Sequence, residues 1–100
     1  MKINTNPITF TQTEPYMRAL THKEALFVYA MVSRMFATFC NPKMRGSNFS
    51  WDHFGSLMMD TAALQYPMTC RRMPSDDTCN VVGYHAKELA ETLVRTMKGE

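Results

Sequence analysis

Three cysteines and three histidines are the residues of this chain best suited to chemistry. Cys70, Cys79 and His85, with Cys40 and His53 as further donors, are ligand types that zinc accepts. Structural zinc sites bring donors in close pairs such as C-x2-C, whereas eight residues separate Cys70 from Cys79 and five separate Cys79 from His85. No metal is therefore expected, and buried cysteine behaving as a small hydrophobe is the simpler reading. The same residues also supply a Cys, His and acid set. Yet the chain has no G-x-S-x-G, no glycine-rich phosphate loop and no H-E-x-x-H, and it holds only four glycines for strained catalytic turns. The expectation is a non-enzymatic protein with no cofactor. Three cysteines cannot all pair within one chain and no secretory signal pattern is visible, which points to a cytoplasm with reduced thiols rather than a Cys70–Cys79 disulfide.

Cations come next. Lys43, Arg45, Arg71 and Arg72 fall in loop-like stretches, with Phe49, Trp51 and Tyr66 as aromatic neighbours that could stack on a single strand or a small anionic nucleotide. Against this, Asp76 and Asp77 lie close to the arginine pair. The chain as a whole carries eleven Lys and Arg against nine Asp and Glu, too even a balance to steer it to nucleic acid or an anionic membrane. Direct nucleic-acid binding is not expected. The charge is mildly polarised instead: residues 1–50 hold six basic and two acidic side chains, and residues 51–100 hold five and seven.

The segment YPMTCRRMPS fits a protein-binding surface best. Tyr66, Pro67, Met68, Arg71, Arg72, Met73 and Pro74 combine methionine, arginine and an aromatic, the composition of interface centres, in a stretch that a small domain has little means to bury. The competing reading is that these side chains fold back onto the helices, since Met fills gaps readily and the chain has ten of them. The Tyr66-Pro67 bond adds a possible switch or a docking point for a host peptidyl-prolyl isomerase, because prolyl bonds in flexible chains populate cis at roughly 10–30%.

The elements that must position these residues read as one all-α domain of three helices, with an extended N-terminal arm and a long irregular loop before the last helix. Residues 1–20 form the arm and a short helical turn, with Thr13 as cap and Pro15 in the first turn. Thr21-His22-Lys23-Glu24 is a capping box, so a helix runs over 21–40 and stops at Asn41-Pro42. Apolar residues surround nearly its whole circumference, which describes a central helix buried on most sides. A second helix is predicted over 50–65, with Trp51, Phe54, Leu57, Met58 and Ala62 on one face, and Pro67 beyond its end. Residues 66–80 read as the irregular connection. The last helix, 81–98, is capped by Thr78 or Asn80, ends at Gly99 and buries Val82, His85 or Ala86, Leu89, Leu93 and Met97. Ser33, Arg34 and Thr38 interrupt the longest apolar run, Ala25 to Cys40, which falls short of the roughly 18–20 apolar residues of a membrane span.

The Thr- and Asn-rich start, the single capped apolar helix and the Met-rich YPMTCRRMP segment together resemble the anti-RecBCD (Abc) accessory proteins of lambdoid Salmonella phages. The resemblance is one of length and texture over roughly the whole chain. It implies a phage protein that binds the host RecBCD helicase-nuclease, through RecC, and alters its handling of DNA ends in favour of phage recombination. It also implies a prolyl isomerase as an extra partner, which Pro67 and Pro74 match only as loop prolines. The other function class is a phage anti-defence sponge that sequesters a cyclic nucleotide signal, with Tyr16, Arg18 and Lys23 supplying stacking and phosphate contacts.

Overall fold

The structure, a computed structural model, describes residues 18–99, and the predicted arm and its Thr13-capped turn lie outside them except for residues 18–20, which are not helical. Three helices follow with no strand among the described residues: α1 (His22–Cys40), α2 (Phe54–Thr69), entered through a 3-10 turn over Trp51–His53, and α3 (Asp76–Lys98).

α1 begins where the capping box places it. The Thr21 side chain accepts the Glu24 N–H at 3.2 Å and a Glu24 carboxylate oxygen accepts the Thr21 N–H at 2.8 Å, satisfying two of the free donors of a helix start. It stops at Asn41, whose N–H reaches the Thr38 carbonyl, and the Asn41 side chain then accepts the Lys43 N–H to turn the chain at Pro42.

α2 and α3 form the tightest pair, an antiparallel hairpin. Phe54, Met58, Ala62 and Tyr66 step along α2 by four and meet Val82, Ala86, Ala90 and Val94, which step along α3 by four. Small residues bring the axes close: a Cβ on Gly83 would lie 3.0 Å from the Met59 carbonyl oxygen. This seam differs from the predicted one, because Leu89 and Leu93 are only half-buried and Met97 is exposed. Close approach selects the smaller Ala90 and Val94, one position on, and the leucines flank the seam.

α1 contributes Val28, Met31 and Val32 to the core from one side only. The expectation of a helix buried on most sides is corrected: Leu26 and Tyr29 are 58% and 59% exposed. Among the described residues no further element covers the outer face of α1. Its C-terminal end meets the chain after the turn in a cluster of rings, with Phe39–Phe49, Phe49–Trp51 and Trp51–Phe54 centroids 4.7, 4.9 and 5.2 Å apart.

The irregular connection is shorter than predicted, spanning only 70–75. α2 continues through Pro67 because Tyr66 is pulled into the core at the end of the four-residue series, which holds the last turn helical although Pro67 has no N–H to give the Ala63 carbonyl. α3 starts five residues early because Ser75 caps it, accepting the Thr78 N–H at 3.1 Å, with Asp76 and Asp77 in the positive first turn.

Candidate functional site

The candidate segment is built on the ends of two helices. The Tyr66 carbonyl accepts both the Thr69 hydroxyl at 2.9 Å and the Cys70 N–H at 3.2 Å, closing α2, and the Ser75 cap opens α3 six residues later. Both ends of the 70–75 connection are therefore fixed. On this frame Met68 and Met73 are 82% and 85% exposed, and Arg71 and Arg72 are exposed. Among the described residues neither arginine forms an ion pair or a side-chain hydrogen bond, and the nearby Asp76 and Asp77 do not neutralise them by direct contact. Pro74 is half-buried.

Two of the seven predicted residues have other roles. Tyr66 is buried, with its ring edge-on to Phe27 at 5.1 Å. Burial first, then a hydrogen bond with Cys70, pushes its phenol up to about 12. It supports the segment from below and offers no surface. Pro67 lies inside the last turn of α2 and is half-buried, with no cis peptide bond among the described residues. Sequence reasoning missed Leu64, which is exposed one turn before Met68 and extends the apolar patch along α2. Its signal, the four-residue step to Met68, emerges only once the helix is known to pass Pro67.

A second polar cluster lies on the inner side of α1. Glu24 is buried, and its two carboxylate oxygens accept the two Arg18 guanidinium nitrogens at 3.0 and 3.1 Å. That hydrogen-bonded guanidinium holds the Glu24 carboxyl below its usual range, against the opposing push of burial. His85 Nε2 sits 2.8 Å from the Arg18 carbonyl oxygen and donates to it in the Nε2–H tautomer. Arg18 is thus engaged in an internal structural contact. Of the other residues named for a nucleotide, Lys23 is exposed and Tyr16 lies outside the described residues.

The remaining chemistry-bearing residues form no metal-holding cluster among the described residues, where no three His, Cys, Asp or Glu side chains come together. Cys40, Cys70 and Cys79 are free thiols, and burial, followed by Asp76 and Cys70, pushes the Cys79 thiol up and away from the reactive thiolate. Phe49 and Trp51 have their rings engaged in the aromatic cluster, which removes two stacking partners from the Lys43–Arg45 loop. A cleft of about 240 Å³ between the 3-10 turn and α3 carries both signs, with Asp52 paired to Lys98 at 2.9 Å beside Glu91 and Arg95. Another of about 210 Å³, between Met59, Asp60, Asn80 and Tyr84, is mostly apolar.

Among the described residues no helix is long and apolar enough to cross a membrane. Searches against protein-family models, curated proteins and solved structures find no match to this chain.

Proposed function

We propose that this protein acts by stoichiometric contact in a bacterial host cytoplasm, as a non-enzymatic phage protein that binds and modulates the host RecBCD helicase-nuclease through RecC. The observation that supports a contact role is the patch at the α2–α3 connection: Leu64, Met68 and Met73 exposed beside Arg71 and Arg72, whose charges have no partner within the described residues. Exposed methionines adapt to a partner's shape and arginines supply the directional hydrogen bonds typical of interface hot spots. The choice of RecBCD rests on the resemblance alone. Pro74, rather than Pro67, is the loop proline available to a prolyl isomerase.

The test is a pull-down from bacterial lysate followed by titration of purified RecBCD, comparing the wild type with a Met68→Ala, Arg71→Ala, Arg72→Ala variant. Recovery of RecBCD with the wild type, and at least tenfold weaker binding by the variant at unchanged melting temperature, is the expected outcome. Wild-type protein that fails to bind purified RecBCD refutes the partner, and full binding by the variant refutes the patch.

A further inference from the structure

We infer that the outer face of α1 is a docking site for an acidic amphipathic helix of another protein. Leu26, Ala30, Ser33, Ala37 and Cys40 are all exposed, and they follow one another at alternating steps of four and three, the spacing that aligns side chains into a straight seam facing a second helix. Tyr29, 59% exposed, borders the seam on one side. The middle of the seam is Ala30, Ser33 and Ala37, small enough to let another backbone approach closely and to receive large apolar side chains.

Charge specifies the partner. Lys23 and Arg34 are exposed along the other border of the seam, eleven residues apart, which places them three turns or roughly 16 Å apart along the helix. The single carboxylate of α1, Glu24, is turned into the core and neutralised by Arg18, so the outer face carries cations and no acid. A helix with carboxylates three turns apart along one edge and bulky apolar residues on its contact stripe complements this surface. An antiparallel second copy of α1 would set Lys23 and Arg34 against their own kind, and a parallel one would set them against the uncharged Tyr29 border. A membrane surface favours Trp, Phe and Leu across the buried face, whereas here the bulky residues, Leu26 and Tyr29, are confined to the N-terminal half. Two cations three turns apart beside an apolar stripe do not track a phosphate backbone, which carries a charge at every nucleotide.

This face is distinct from the Leu64–Met73 patch, and its test is independent of RecBCD. The full chain is titrated with fluorescent helical peptides of about 20 residues, long enough to span α1, with Leu along the contact stripe and either Glu or Lys along both edges. The Glu peptide is expected to bind roughly tenfold tighter than the Lys peptide at low salt, with the gap narrowing as salt rises. A Lys23→Glu, Arg34→Glu variant reverses the order, Ser33→Arg weakens both peptides, and Arg71→Ala, Arg72→Ala changes neither. Far-UV circular dichroism verifies that each variant stays folded. No binding of either peptide, equal affinity for both, or a preference unchanged in the charge-reversed variant overturns the proposal. Sedimentation showing a dimer that Ser33→Arg dissociates would assign the face to a second copy. Binding to phosphatidylglycerol vesicles that displaces the Glu peptide would assign it to a membrane. Either result also overturns it.

Discussion

Gly83 and Gly55 both sit on the α2–α3 seam, and adding one methyl group to each separates movable from immovable packing. At Gly83 the new Cβ would meet the Met59 carbonyl oxygen at 3.0 Å and Met59 Cγ at 3.3 Å. The first is helix backbone, hydrogen-bonded into α2 and unable to move without shifting the helix. Alanine in a helix interior gains about 0.5–1 kcal/mol over glycine, while overpacking a tight contact costs about 1–3 kcal/mol. The balance is a net loss of about 1 kcal/mol for Gly83→Ala, equivalent to a drop of about 4–8 °C in Tm for a domain of this size. At Gly55 the added Cβ would lie nominally closer, 2.7 Å from Glu91 Cγ and 2.9 Å from Glu91 Oε2. Those atoms belong to a flexible side chain that forms no ion pair among the described residues and can swing aside. Gly55→Ala should therefore stay within about 0.5 kcal/mol of the wild type, the range of an ordinary surface substitution. Urea unfolding followed by far-UV circular dichroism, with the slope required to stay constant, measures both. If Gly83→Ala proves as stable as the wild type, or Gly55→Ala the more damaging of the two, the close helix–helix approach described above is wrong.

Arg18→Ala leaves the buried Glu24 carboxylate without its cation and should cost about 1–2 kcal/mol, between the values for surface and for buried pairs because Arg18 itself is partly exposed; chemical denaturation measures it. Since the folded-state pKa of Glu24 is depressed, its contribution is complete above the unfolded value of about 4.3 and is lost as pH falls through the folded value. Glu24→Gln should flatten that part of an acid stability curve, and parallel curves would refute the assignment. Ser75→Ala removes the cap of α3 and should cost about 1 kcal/mol by thermal melting. Tyr66 should ionise near pH 12 in absorbance titration, and the fold should lose stability between about pH 10 and that value as the unfolded state becomes free to ionise.

Helix ends marked by local chemistry were legible in the sequence. Thr21 and Glu24 form their box, Asn41-Pro42 stops α1, and Gly99 closes α3 with φ of 82°, a left-handed conformation that glycine adopts without penalty. The start of α3 was also written locally, in Ser75 followed by Asp76 and Asp77, but the same residues read equally well as loop. What needed the third dimension was which side of an apolar helix is covered. α1 is apolar almost all round, and only the placement of its neighbours leaves Leu26 and Tyr29 outside while Val28 and Met31 go in. Tyr66 shows the same effect: next to a proline it reads as loop, yet burial keeps it in the helix. The exposure of the candidate segment was legible in part, since Met68, Arg71, Arg72 and Met73 reach solvent, whereas Tyr66 and Pro67 are drawn inward by packing that lies far off in sequence.

The contact between His85 and the Arg18 carbonyl joins residues 67 positions apart, while α2 and α3 are linked by only six residues. Closing the short hairpin costs little chain entropy, and its seam can form before the N-terminal part of the chain is ordered. α1 is attached through one face and through this distant clasp, so it is the unit able to detach first in sub-global opening of the native state. Such an opening would uncover Phe54 and Tyr66, whose rings meet Phe36, Phe39 and Phe27 of α1, while leaving the hairpin intact, and backbone amides of α1 would exchange with solvent through it long before those of α3.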